Sequence, residues 1–244
     1  MFVEFIGCSG AGKTTLAKNT LVRLADCGVR AADSQDLVAQ STRTAWVKND
    51  SMRNLLQSIV LAPSPVELGV NHRRLLSFAV RIITRDAESP LDWCSRTRST
   101  LRLIASHRML LTRRTSELVV LVDEGLLNAA HNLFVYASRG PRLREVRSFA
   151  SMVSVPDMIV HVRVPLDVAL VRTMRRPDPP IRTRSPRHLE AFLRHGQQVF
   201  EMLAQTDPWR DRVLSVSSVA DAPADTAAVV RQIVELIRDR LSMR

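Results

Sequence analysis

Lysine is nearly missing from this chain. It stands only at positions 13, 18 and 48, so almost all of the positive charge behind a formal net charge of +11 is arginine. Such skew accompanies GC-rich coding sequence, but an arginine's bidentate fork also suits an anionic small-molecule substrate. A zinc-finger spacing, an RNP-type aromatic pattern and a lysine-rich tail are all absent, and without them the charge does not call for a nucleic-acid partner. Cysteine is scarce as well. Cys8, Cys27 and Cys94 are odd in number, widely spaced and not at metal-ligand intervals, which predicts reduced thiols and no structural metal. No apolar run reaches the roughly 18 residues of a membrane span. The N-terminus lacks the basic region and long apolar run of a secretory signal. The expectation is a cytoplasmic protein with no membrane partner.

What remains is an ordinary globular composition: 244 residues, 45% hydrophobic and 24% charged, enough to bury the core of one α/β domain spanning 1–244. Apolar, β-branched runs predict strands at Phe2–Ile6, Val29–Asp33, Leu118–Asp123, Met158–Val164 and Arg212–Ser217. Helical patterns separate them, beginning with Thr15–Leu24, which Gly28 is placed to end. Continuous apolar strands alternating with helices predict a parallel sheet covered on both faces. The last helix carries Val230, Ile233, Val234, Ile237 and Leu241 on one face, with Pro223 in its first turn. About 34–117, between the second and third strands, are too many residues for a loop and predict a helical insertion, interrupted at Pro63, Pro65 and Pro90. In an open α/β sheet a ligand lies outside the carboxyl ends of the strands, so this insertion is placed to build an acceptor pocket.

The first strand runs into Gly7-Cys8-Ser9-Gly10-Ala11-Gly12-Lys13-Thr14-Thr15, a G-x-x-x-x-G-K-[ST] loop between a strand and a helix. Its flexible glycines let consecutive backbone N–H groups converge on phosphate oxygens. Gly7, Ser9, Gly10, Ala11, Gly12, Lys13, Thr14 and Thr15 are the candidate nucleotide-binding residues. Lys13 is placed to reach the β- and γ-phosphates and Thr14 to sit on Mg²⁺. Cys8, inside the loop, is expected to be a small space-filler rather than a redox switch, although the backbone N–H groups and Lys13 are placed to lower its thiol pKa.

The third strand ends in Asp123-Glu124-Gly125. A carboxylate there can hold Mg²⁺ or orient an acceptor hydroxyl, a role that falls to Asp123, with Thr14 as the other metal residue. Successive strand side chains point to opposite sides, so Glu124 is expected to take a different task, as a base or a substrate-binding group. After the fourth strand, Arg172, Arg175 and Arg176 share helix faces at intervals of three and four. They lead into a proline-rich stretch, and about 172–187 is expected to act as a lid whose arginines neutralise a phosphoryl group in flight.

Together, "FIGCSGAGKTTLA", "LVVLVDEG" and "VHVRVPLDVALVRTMRRP" resemble the phosphate-loop nucleoside and nucleotide kinase superfamily, most nearly its thymidylate-kinase-like proteins. The resemblance implies a three-layer phosphate-loop NTPase fold with a five-stranded parallel sheet and an arginine-bearing lid after strand 4. It further implies ATP and Mg²⁺, and transfer of the γ-phosphoryl group to a small acceptor. Lys13, Asp123, Arg172 and Arg176 become catalytic by that likeness, joined by Glu124, and dimers are common in such proteins. Two features depart from thymidylate kinases: Glu124 and Gly125 stand where they carry an arginine after the strand-end acid, and their segment after the second strand has no counterpart around Asp33-Ser34-Gln35-Asp36. The acceptor therefore stays open among nucleotides, nucleosides and other hydroxylated or phosphorylated metabolites.

Residues placed to meet an anionic acceptor are His72, Arg73, Arg74 and Arg81 in the insertion, Arg108, Arg113 and Arg114 before the third strand, and His131, Asn132, Tyr136 and Arg139 after it. His188 and His195 have no carboxylate partner at metal spacing. Two other classes compete. A switch GTPase needs D-x-x-G and N-K-x-D; here the glycine comes one residue early and N-K-x-D does not occur. A nucleic-acid-dependent ATPase or polynucleotide kinase draws only on the charge, and would reveal itself by strongly salt-dependent stimulation by DNA or RNA.

Overall fold

A computed structural model of the chain describes residues 1–47, 52, 56–57, 70–112, 115, 117–176, 185–207, 209–218 and 223–243. Pro63, Pro65, Arg113, Arg114 and most of the expected lid, 177–184, lie outside the described residues, as does the side chain of His72.

Five strands form one parallel sheet: β1 (Phe2–Ile6), β2 (Ala31–Asp33), β3 (Val119–Val122), β4 (Met158–Arg163) and β5 (Val213–Ser217), in the order β2-β3-β1-β4-β5. The central strand, β1, is buried along its whole length, as its unbroken apolar run predicts, with Glu4 as its single polar residue. In register, Glu4 lies beside Val122 of β3 and Ile159 of β4. Gly7 and Asp123 therefore both emerge at the carboxyl edge of the sheet, on adjacent strands.

Helix α1 (Lys13–Asp26) starts two residues earlier than its apolar pattern predicts, because Gly12, at φ +90°, turns the loop directly into it. It ends in a Schellman motif, with Gly28 at φ +70°, Gly28 N–H donating to Ala25 O at 2.9 Å and Val29 N–H to Leu24 O at 2.9 Å. That bond takes the amide of Val29 out of any strand, which is why β2 is only three residues long. Between β2 and β3 stand α2 (Ser34–Ser41), α3 (Val70–Asp86) and α4 (Pro90–Thr112), with Pro90 opening α4 rather than breaking it.

After β3 come a 3₁₀ turn (Leu126–Asn128) and α5 (Ala129–Phe134), then α6 (Leu143–Ala150), α7 (Leu166–Met174), α8 (Pro186–Ala204) and α9 (Pro223–Ser242). On one face of the sheet α9 packs against α1 through Val230, Ile233, Val234 and Ile237. On the other, α8 packs on β4 and against α5 and α6, while α4 packs against α3 and α5. The result is three layers, helix, sheet, helix. None of the helices among the described residues is long and apolar enough to cross a membrane.

Candidate active site

The loop after β1 is wedged against its neighbours. A β-carbon on Gly7 would lie 2.6 Å from Val162 O of β4, and one on Gly10 would lie 2.6 Å from Ala169 O of α7. Glycine is required at both places by close approach of backbone. Ala11 is fully buried, whereas Thr14 and Thr15 stand exposed on the first turn of α1. Lys13 folds back over the loop, its Nζ donating to Gly7 O at 2.9 Å and to Cys8 O at 3.0 Å. Burial pulls the Lys13 pKa down, while the charges of Asp123, Cys8 and Glu124 oppose that shift.

Asp123 meets the loop from β3. Its Oδ2 accepts from the Thr14 hydroxyl at 2.5 Å, and its buried Oδ1 has no hydrogen-bond partner among the described residues. Burial raises the Asp123 pKa, opposed by the Thr14 hydroxyl and Lys13. Asn128 braces this edge, its Nδ2 donating to Asp123 O at 3.1 Å and Phe5 O at 3.3 Å. A hydroxyl and a carboxylate with an open oxygen are hard donors suited to Mg²⁺, a cation that completes its shell with water and substrate phosphates. The described residues contain no group of three or more His, Cys, Asp or Glu able to hold a metal alone.

Both carboxylates of the strand-end pair line one cavity. This corrects the alternation expected of a strand: β3 ends at Val122, so Asp123 and Glu124 lie in the turn beyond it, where alternation no longer applies. Asp123 looks to Thr14, while Glu124 pairs with Arg102 Nη2 of α4 at 3.2 Å. The cavity measures about 290 Å³ and also takes in Gly7, Ser9, Lys13, Ser99, Leu103, His131, Asn132 and Arg176. Within hydrogen-bond reach, then, are a phosphate loop, an oxygen pair for a hard cation and a second acid on the side away from the loop. The fold is α/β, with a G-x-x-x-x-G-K-T loop at the carboxyl edge of its parallel sheet.

No protein-family model matches it, and no curated protein does. Among solved structures, a deoxyadenosine kinase from M. mycoides with bound dATP is 12% identical over 99% of this chain and 100% of its own, at a TM-score of 0.44. The same enzyme with bound dCTP is 13% identical over 100% of both chains, at 0.44. A shikimate kinase from Acinetobacter baumannii in complex with shikimate is 18% identical over 98% of this chain and 93% of its own, at 0.42.

The arginines expected in the lid separate. Arg176 lines the cavity and its Nη1 donates to Ser9 Oγ at 3.4 Å. Arg172 instead reaches the end of β5, Nη1 donating to Ser218 O at 3.1 Å and Ser218 Oγ at 3.2 Å, just behind Gly12. Of the anion-binding expectations, His131 and Asn132 line the cavity, with the His131 ring edge-on to Phe192 at 5.1 Å. Tyr136 is buried beneath Arg96, whose guanidinium lies 3.6 Å from its ring centroid, and Arg139 pairs with buried Asp86. Arg73 and Arg81 lie along the outer side of α3 beside Leu76 and Val80. His195 Nδ1 contacts Tyr136 O at 2.6 Å.

Cys8 is buried, as a space-filler would be, and the lowering of its pKa is not found. Its thiol faces away from the cleft into a separate cavity of about 350 Å³ with His161 and Gln197, and burial there pushes its pKa up against the pull of Lys13.

Two residues went unread in the sequence. Glu4 points under the Asp-Glu-Gly turn, where its Oε1 accepts from Leu127 N–H at 2.7 Å. Burial raises its pKa to about 8, and a β-carbon on Gly125 would lie 2.4 Å from its carboxyl group. A lone acid inside an unbroken apolar strand was its signal. Arg102 had none, standing among many arginines.

Proposed function

We propose that this protein is an ATP- and Mg²⁺-dependent phosphotransferase that moves the γ-phosphoryl group to a hydroxyl of a small acceptor. The observation that carries it is the junction of loop and strand end: Lys13 and Thr14 beside Asp123, whose Oδ1 is buried and open.

On this reading Lys13 exchanges the carbonyls of Gly7 and Cys8 for β- and γ-phosphate oxygens, and the loop's N–H groups hold the rest of the chain of phosphates. Thr14 and Asp123 would hold Mg²⁺, which when bound would supply charge compensation for the transferred group. Arg176, already at Ser9, adds positive charge from just beyond the end of α7. The acceptor oxygen bonds to the γ-phosphorus as the bond from that phosphorus to ADP breaks, and the hydroxyl proton passes to Glu124, which Arg102 holds in position. Most of the catalysis is placement and charge compensation.

The test is acceptor-dependent ADP release with MgATP, using nucleosides, nucleoside monophosphates, sugars, sugar phosphates and oligonucleotides, with Lys13→Ala as the blank. Stimulation by a small acceptor is the expected result. Stimulation by oligonucleotides alone, steeply reduced by salt, replaces this reading with a nucleic-acid-dependent enzyme.

A further inference from the structure

The wall of the cleft away from the phosphate loop is one face of α4. Ser99, Arg102, Leu103 and Ser106 recur at intervals of three and four and so share that face. Arg102 lines the main cavity and also a second, much smaller one of about 30 Å³ with Ser34, Gln35, Gln57 and Ser106, and Glu124 lines both. The Arg102–Glu124 pair is therefore the partition between two chambers.

Three properties of this space restrict its occupant. The first is charge. With Lys13, Arg176 and Asp123 committed to the phosphates and their cation, the described lining leaves one strong cation and one anion, Arg102 and Glu124, already paired at 3.2 Å. A phosphate or carboxylate on the acceptor would have to part them and then lie against the displaced acid. The second is stacking. No Phe, Tyr or Trp lines either chamber among the described residues, and the single ring, His131, is packed against Phe192 and Phe200. A nucleobase would find no aromatic face to stack on. The third is the supply of uncharged hydrogen-bonding groups: Ser99, Asn132 and Asn128 in one chamber, Ser34, Gln35 and Gln57 in the other.

We propose that the acceptor is an uncharged, polyhydroxylated molecule of monosaccharide or cyclitol size, bound across the Arg102–Glu124 pair. The inference rests on the phosphotransferase reading and narrows it. Of the arginines expected to meet an anionic acceptor, Arg73, Arg81 and Arg139 lie away from this space. Hydroxyl groups suit the pair because each can accept from Arg102 and donate to Glu124 at once, leaving neither ion without a partner.

The panel for the experiment is glucose, other free hexoses and myo-inositol, their monophosphates, gluconate, the common nucleosides and nucleoside monophosphates, with kcat/KM measured for each. Turnover concentrated at least tenfold on the uncharged polyols is the expected result. Preference for a nucleoside or for an anionic acceptor overturns this inference and leaves the phosphotransferase standing. ATP hydrolysis indifferent to every acceptor removes both. For the best polyol, Arg102→Ala should raise the acceptor KM at least tenfold while the KM for MgATP stays within twofold. A loss confined to kcat or to thermal stability would show that Arg102 only holds Glu124 or α4, and would overturn its place against the acceptor.

Discussion

Lys13 and Asp123 are the residues on which the site turns. Lys13→Ala and Asp123→Asn should each lower turnover by roughly 10²–10³-fold or more, with unfolding curves and circular dichroism close to wild type; turnover near wild type in either variant removes the site. Glu4 supplies a prediction of another kind. The folded chain keeps its proton up to about pH 8, whereas the unfolded chain releases it near the ordinary value of 4.5. Between those values the native state holds more protons, so the Glu4 contribution to stability is complete below about 4.5 and is lost as pH rises through about 8. Buried His161, lowered to about 4, acts with the opposite sign between about 4 and 6.5. Glu4→Gln keeps an acceptor for Leu127 N–H and cannot ionise. Its melting temperature relative to wild type should therefore climb from pH 5 to pH 8, and a flat difference would refute the assignment. At this scale the loop was legible because its chemistry is written in glycine spacing, and Asp123 because it ends an apolar run. Glu124 was legible as a residue but not in its direction, which depends on where the strand stops. Arg102 was illegible: nothing local distinguishes a buried arginine from a solvated one in a chain so rich in them.

Helices α4 and α7 decide how the site is framed. Arg96 of α4 is buried and fully engaged: its Nε donates to both oxygens of Asp92 at 2.8 Å, Nη1 to Asn132 O at 2.5 Å and Nη2 to Val135 O at 3.1 Å. It thus fastens the insertion to the stretch after β3 that carries Asn132 into the cleft. Arg96→Ala removes the guanidinium from Asp92 and from two carbonyls and should cost about 3–5 kcal/mol in chemical unfolding. Lysine should not restore it, because one ammonium cannot span that fork. Arg172 of α7 and Arg176, just past its end, are predicted to part company: Arg176→Ala should lower kcat more than ATP affinity. Arg172→Ala, which frees Ser218 behind Gly12, should act mainly on ATP affinity by loosening the loop. Equal effects in kinetics would mean that both face the transferred group. The sequence placed both in one cluster because their helical interval is all it can express; that Ser218 claims Arg172 depends on β5 lying beside β4. The helices of the insertion were legible as helices but not in their packing, which rests on long-range contacts such as Arg96 with Tyr136.

The sheet was the most legible feature of the whole molecule. Its five strands were found within one or two residues of their ends, since continuous burial imposes continuous apolar character. The formal charge of +11 was the least informative, because a net total says nothing of where each arginine goes: Arg85, Arg96 and Arg139 are paired with Glu145, Asp92 and Asp86. One consequence follows from the way Lys13 rests on Gly7 O and Cys8 O. Burial lowers its pKa against the opposing charges of Asp123, Cys8 and Glu124, and a triphosphate lying against it would raise that pKa. Binding therefore draws protons from solution. The apparent heat of nucleotide binding should vary with the ionisation enthalpy of the buffer over the pH range in which Lys13 titrates, in the direction of net uptake, and that variation should vanish in Lys13→Ala.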